Sequence, residues 1–177
     1  MIYFITGNKD KFKEVQSILE NVEQFDIDLD EIQEIDAKEI IKSKLREALK
    51  HKQENFIVED TSLYLDCLNG LPGPLIKWFL KTIGSKGLFE ITKKLGNNIA
   101  QAKTIIGYAD KNGKINFFEG ILNGKIVSPI GENGFGWDNI FMPKIQEKTF
   151  AQMTTQEKNE ISMRRNALNK LKEFLDK

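Results

Sequence analysis

Five apolar residues, Met1 to Ile5, run directly into Thr6-Gly7-Asn8-Lys9-Asp10-Lys11. Apolar positions at helical spacing follow at once: Phe12, Val15, Ile18 and Leu19. A strand that breaks at a glycine and restarts as a helix is tightly constrained. The first N–H groups of the helix lack intrahelical partners, and they point, with the positive end of the helix dipole, toward the preceding turn. Lys11 adds a mobile ammonium about one turn into the helix. Such a turn suits a phosphate. It is equally the form of an ordinary strand–helix junction with Asn8 as N-cap, and only partners elsewhere in the chain separate the two readings.

The chain has 177 residues, the size of one domain with a real core, and residues 1–177 read as a single domain. Its 26 basic and 26 acidic residues balance, so no global field would attract nucleic acid or an anionic membrane, and phosphate recognition must be local. No basic n-region precedes the first apolar run, and no apolar stretch approaches the roughly 20 residues needed to cross a bilayer. No signal peptide is expected, and the chain reads as cytoplasmic. Cys67 is the single cysteine and His51 the single histidine. Intramolecular disulfides and Cys/His zinc sites are therefore excluded. Catalysis by a Ser/His or Cys/His pair is disfavoured too, because His51 lies between Lys50 and Lys52 near a polar helix end. Acid–base work falls to carboxylates or lysines, and a metal would be a hard ion held by oxygen, such as magnesium.

Helical spacing predicts helices over residues 9–20, through Ala37, Ile40, Ile41, Leu45, Ala48 and Leu49, and along Leu75, Ile76, Trp78, Phe79 and Ile83 with Pro74 at the first position. Gly84 can end that last helix, and Ser85 can cap a further one that stops at Gly96. Phe56-Ile57-Val58 reads as a short buried strand ending in Glu59-Asp60-Thr61. Strands at 104–109 and 115–119 meet in the hairpin signal Asp110-Lys111-Asn112-Gly113, and a further strand covers 124–127. Thr154 and Glu157 have capping-box spacing and open one long final helix through Ile161, Leu168, Leu171 and Phe174. Helices and strands alternate with hairpins in the middle, so the class is mixed α/β rather than a simple doubly wound sheet.

Three further constellations could carry chemistry. Glu59-Asp60 at a strand end could hold hydrated magnesium or take a proton from water, or could serve as a cap or salt bridge. Phe135-Gly136-Trp137-Asp138 could stack on a flat ring and accept hydrogen bonds from its edge; alternatively it is a core corner with Trp137 buried. Lys158 and Ser162 would share a helix face, with Arg164 about a third of a turn away, though a basic helix face is usually just solvated. The Walker pattern GxxxxGK[ST] is absent, and Gly134-Phe135-Gly136 lacks the third glycine of a dinucleotide fingerprint.

Taken in order, Thr6-Gly7-Asn8-x-x-Lys11-x-x-Glu14, Val58-Glu59-Asp60-Thr61, Gly70-Leu71-Pro72-Gly73-Pro74 with Lys77-Trp78-Phe79, Phe135-Gly136-Trp137-Asp138, and Glu157-Lys158-Asn159 with Ser162 and Arg164 resemble the inosine triphosphate pyrophosphatase family nearly end to end. The resemblance implies a long curved mixed β-sheet flanked by helices, in two lobes with a nucleotide cleft between them, as a homodimer. It implies hydrolysis of ITP, dITP and XTP to monophosphate and pyrophosphate, with magnesium, or manganese in its place. Carried over, Thr6, Gly7, Asn8, Lys9, Asp10, Lys11 and Lys44 match positions around the triphosphate. Glu31 and Asp60 match the metal positions, Asp60 also the base for the attacking water. Lys11 is grouped with these two carboxylates as catalytic, and Thr61 and Lys77 are further substrate positions. Phe135, Gly136, Trp137, Asp138, Lys158, Ser162, Met163 and Arg164 match positions around the base. The family's usual Ser-His-Arg triplet reads Ser162-Met163-Arg164 here. A thioether is at best a weak acceptor, so base discrimination is where this chain departs from the pattern, and the alternatives are a related pyrophosphatase with altered base preference or a nucleotide-binding sensor without turnover. The implied partner is a nucleoside triphosphate, with neither nucleic acid nor membrane.

Overall fold

The computed structural model describes residues 1–177, apart from the side chain of Asp10. Its elements run β1 (Ile2–Ile5), α1 (Lys9–Gln16), β2 (Val22–Phe25), α2 (Ala37–His51), β3 (Asn55–Leu65), β4 (Pro72–Gly73), α3 (Ile76–Thr82), α4 (Gly84–Leu95), β5 (Ile99–Ala109), β6 (Ile115–Ile126), β7 (Phe141–Pro143), α5 (Thr155–Ile161) and α6 (Met163–Leu175). The strands form one seven-stranded sheet in the order β2-β1-β3-β5-β6-β7, with β4 pairing β3 beside that path. β1 is parallel to β2 and β3, whereas β3–β4 and β6–β7 are antiparallel. The class is therefore mixed α/β, with helices flanking an open sheet.

Packing divides the chain into two compact units, each assembled from separated segments: Met1–Asp60, Thr104–Gly120 and Arg164–Lys177 in the first, Thr61–Lys103 and Ile121–Met163 in the second.

In the first unit, β1 pairs with β3 at Phe4↔Ile57, and alternation sorts side chains onto two faces. Phe4, Val15, Leu19, Ile57, Ile106, Ala167, Leu168 and Leu171 join α1 and α6 to one face. Ala37, Ile41, Leu45, Ala48, Phe56, Val58, Ile105 and Ala109 join α2 to the other. The apolar residues of α2 recur every three or four positions, which makes the stripe that a sheet can cover. Asp36 caps this helix by accepting the Lys38 N–H at 2.9 Å. Close approach of α2 to β5 requires glycine at 107, where a Cβ would collide with Ile41 and Leu45. Because α1 and α2 cover opposite faces, the strand order 2-1-3 reverses at β1. In open α/β sheets ligands bind beyond the carboxyl end of the strand at such a reversal. Here that place is the turn Thr6–Asn8.

In the second unit Leu63, Leu65, Ile76, Leu88, Ala102, Ile126, Trp137, Ile140, Phe141, Phe150, Met153 and Met163 form one cluster. Three aromatic rings lock it: Trp137 meets Phe141 edge-on at 5.4 Å between centroids, and Phe141 lies 5.3 Å from Phe150. The Thr154–Glu157 capping box is present, with Glu157 N–H donating to Thr154 Oγ1 at 3.2 Å and Thr154 N–H to Glu157 Oε2 at 2.7 Å.

Several expectations need correction. β3 does not end at Glu59-Asp60 but runs on to Leu65, so both carboxylates sit within a strand. Polar residues in mid-strand interrupt the apolar pattern without ending the ladder. The final helix is two helices: Ser162 takes extended dihedrals (φ −63°, ψ 146°) between α5 and α6. Lys158 and Ser162 therefore do not share a helix face. α1 stops at Gln16, and Val22–Phe25, for which no strand was expected, forms β2. α3 begins at Ile76 rather than at Pro74, and the strand at 124–127 is the end of β6. The hairpin is as expected: Gly113 N–H donates to Asp110 O at 2.9 Å.

Candidate active site

The first unit gathers charge at the carboxyl end of β1. Asn8 caps α1, its Oδ1 accepting the Lys11 N–H at 3.1 Å, while its own N–H donates to Thr6 Oγ1 at 3.1 Å. Gln24 pins the turn by donating to the Thr6 carbonyl at 2.7 Å. Gly7, Asn8 and Lys9 are exposed; the side chain of Asp10 lies outside the described residues. The register that pairs Phe4 with Ile57 sets Glu59 level with Thr6, just past the end of β1.

The Lys11 ammonium lies 2.8 Å from Glu59 Oε1. Glu59 also holds Arg164 bidentately, accepting from Nε at 2.8 Å and Nη2 at 3.1 Å, and Arg164 Nη1 donates to Glu14 Oε2 at 2.7 Å. Two cations and two anions thus form a neutral, mostly buried network. Burial alone would raise the pKa of Glu59, but the Arg164 guanidinium and the Lys11 ammonium outweigh it and hold the carboxyl at about 2. Burial likewise opposes the charge on Arg164, and the carboxylates of Glu59 and Glu14 outweigh it, raising the pKa above the ordinary value. Arg164, read from the sequence as a position around the base, is engaged here with the α1 turn of the first unit. Of the alternatives open for Glu59, metal ligand, base, cap or salt bridge, the structure shows the salt bridge, and Glu14 joins the site without having been singled out as a candidate. The signal for Glu14 was its spacing three residues beyond Lys11, which places both on one helix face.

Strand alternation turns Asp60 away from Glu59, onto the face of Phe56 and Val58 that α2 covers. α2 also carries Lys44, whose ammonium lies 2.8 Å from Glu31 Oε1. The structure thus joins two of the expected residues, Lys44 and Glu31, in one ion pair. Among the described residues no group of three or more His, Cys, Asp or Glu side chains converges as a metal cage would. An all-oxygen donor set of two carboxylates still fits magnesium, which keeps several waters and shares its remaining positions with substrate phosphates. His51 is exposed at the end of α2 and plays no part.

The second unit holds the aromatic constellation. The two aromatics around Gly136 have different surroundings: Phe135 is 61% exposed, whereas Trp137 is 7% exposed and packed in the core. Asp138 is buried; its Oδ2 accepts the Phe135 N–H at 3.0 Å and the Lys158 ammonium at 2.6 Å. That ammonium also lies 5.2 Å from the Phe135 ring centroid. Only glycine fits at 134, where φ is +81° and a Cβ would collide with the Asp138 carboxylate. Ser162 and Met163 are buried, Met163 among the apolar residues of this unit. Lys77 projects exposed from the first turn of α3, 5.8 Å from the Trp78 ring centroid, and Thr61 sits half-buried in β3.

The Ham1 family model matches residues 2–174. The chain belongs to the Ham1 family. The inosine triphosphate pyrophosphatase of Schizosaccharomyces pombe is 42% identical over 99% of this chain and 95% of its own length. That of Saccharomyces cerevisiae is 41% identical over 98% and 95%. The solved structure of the Staphylococcus aureus Ham1 protein superposes with a TM-score of 0.86 at 29% identity, covering 99% of this chain and 97% of that one. No helix among the described residues is long and apolar enough to cross a membrane.

Proposed function

We propose that this Ham1 family chain hydrolyses the non-standard purine nucleotides ITP, dITP and XTP to monophosphate and pyrophosphate, in a magnesium-dependent reaction. The observation that carries the reading is the Lys11 ammonium, 2.8 Å from Glu59 and one turn into a helix that opens at the strand-order reversal, in a chain over 40% identical to named inosine triphosphate pyrophosphatases.

A triphosphate concentrates negative charge, which the α1 amides, Lys11 and Lys44 would answer. Glu31 and Asp60 would hold the magnesium ion, which when bound lends Lewis acidity to the phosphate oxygens. Asp60 would take the proton of the water that attacks the α-phosphorus, since no histidine is available for that task. On the second unit Phe135 offers an exposed ring for stacking, and Lys158 a donor for the 6-keto oxygen of hypoxanthine or xanthine. Asp138 would orient Lys158 through their 2.6 Å contact. Thr61, Lys77, Ser162 and Arg164 are further expected substrate positions.

The deciding experiment supplies a panel of nucleoside triphosphates with magnesium and follows pyrophosphate against orthophosphate. Pyrophosphate as first product, fastest from ITP or XTP, is expected. Orthophosphate as first product, or no turnover of any nucleotide, would refute the activity. A second reading, the same hydrolysis with another base preference, is favoured by the buried thioether of Met163 where the family pattern has histidine; the same panel separates the two. The homodimer belongs to this proposal as well, and sedimentation as a monomer would remove it.

A further inference from the structure

We infer that Glu59 is the internal counter-ion of Lys11, a carboxylate that an incoming polyphosphate must displace, so that weakly charged anions are kept off the α1 turn. The inference rests on the anion site proposed above and adds to it a residue that discriminates by charge. The Lys11 side chain is 25% exposed and that of Glu59 only 4%, so an anion arriving from water meets the ammonium and not the carboxylate. At rest Lys11 already has an anionic partner at 2.8 Å. A weakly charged anion offers the ammonium little more than Glu59 does, whereas a tripolyphosphate chain offers several charges at once.

The exchange is feasible because of Arg164. Stranding a buried carboxylate by removing its partner is strongly unfavourable. When Lys11 turns to the ligand, however, Glu59 keeps the two-pronged guanidinium at 2.8 and 3.1 Å, and Arg164 in turn keeps Glu14 at 2.7 Å. One ion pair replaces another, and no buried charge is left alone. Two other expected substrate lysines rest in the same way, Lys44 on Glu31 at 2.8 Å and Lys158 on Asp138 at 2.6 Å. Glu59 is the least exposed carboxylate of the three, and it is held by a guanidinium besides its lysine.

The test is calorimetric titration of the intact chain with inorganic tripolyphosphate and with orthophosphate, without metal, for the native protein, Glu59→Gln, Lys11→Ala and the double variant. Glu59→Gln is expected to tighten tripolyphosphate binding roughly tenfold and to admit orthophosphate, with the gain lost in the Lys11→Ala background. Because Glu59→Gln also loosens the hold on Arg164, Glu59→Asp is the companion variant. It keeps the charge but withdraws it from Lys11, and a smaller gain of the same sign is expected. Unchanged or weaker affinity in both folded variants would overturn the inference, as would an equal gain without Lys11, or no tripolyphosphate binding by the native chain. A native chain that hydrolyses ITP while both Glu59 variants bind tripolyphosphate as before sinks only the counter-ion role. One that binds tripolyphosphate, with tighter binding in the variants, yet turns over no nucleotide sinks only the activity.

Discussion

Gly136 separates two aromatic side chains whose surroundings call for opposite consequences on truncation. Trp137 is 7% exposed and packs edge-on against Phe141, while Phe135 is 61% exposed. Trp137→Ala empties a large volume among close-packed rings, and such changes cost about 3–5 kcal/mol. For a chain of this length each kcal/mol moves the melting temperature by about 2–4 °C, so a fall of roughly 6–20 °C is expected. Phe135→Ala removes a ring that belongs to no buried cluster, and surface substitutions usually stay within about 0.5 kcal/mol, which is a shift of at most about 2 °C. If Phe135 is the platform for the base, its loss removes stacking worth about 1–3 kcal/mol, or about 5- to 150-fold in nucleotide affinity. A thermal melt and a steady-state pyrophosphate assay with ITP separate the two. Phe135→Ala should raise KM with little change in melting temperature, and should leave tripolyphosphate affinity alone because that ligand has no base. An unchanged KM for Phe135→Ala, or a melting temperature lowered as far as by Trp137→Ala, would refute the division of labour.

Asp60→Asn should keep nucleotide binding and lose about 10²–10⁴-fold in turnover, the usual share of a general base; a native rate would remove Asp60 from that role. Glu59 titrates at about 2 in the fold against an ordinary 4.5, so its contribution is fully present above pH 4.5 and is lost as pH falls toward 2. A depression of that size corresponds to about 3 kcal/mol. Urea denaturation of the native chain and Glu59→Gln should therefore differ near neutrality and converge in acid, and a constant gap down to pH 2 would contradict the assignment. Met163→His places an imidazole in an apolar cluster and should cost about 1–3 kcal/mol at pH 8. The loss should grow below about pH 6.5, because burial disfavours the imidazolium and the unfolded chain takes up the proton instead. Native stability at both pH 8 and pH 5.5 would show that the side chain reaches water or a partner.

What was legible in the sequence were the features whose physics is local. The capping box at Thr154–Glu157, the hairpin at Asp110–Gly113, the stop at Gly96 and the apolar stripe of α2 each follow from residues within a few positions of one another. The β1–α1 turn is of the same kind, with Asn8 capping the helix as its residue type allows. The family resemblance supplied the strands' common sheet, which no local signal contains. Less legible were the short β2 and the continuation of β3 through Glu59 and Asp60. Their polar residues look like a loop until neighbouring strands take up the backbone groups.

The network around Glu59 was out of reach for a different reason. Arg164 lies 105 residues from Glu59 and 150 from Glu14, and periodicity says nothing about such pairs. A single break at Ser162 decides the matter. On one continuous helix, spacing would set Arg164 about a third of a turn from Lys158, and only the family resemblance placed it with Lys158 around the base. The extended residue instead ends one helix and begins another, and Arg164 stands in the first turn of α6 in the unit that holds Lys11. A buried arginine whose Nε, Nη1 and Nη2 all meet carboxylates has its charge committed before any ligand arrives. On the counter-ion proposal its effect on an anion passes through Glu59 to Lys11. Hence Arg164→Lys, which keeps the charge but loses the two-pronged grip, should alter tripolyphosphate affinity in the metal-free titration. A change confined to the ITP:GTP ratio, with tripolyphosphate unaffected, would place Arg164 at the base after all.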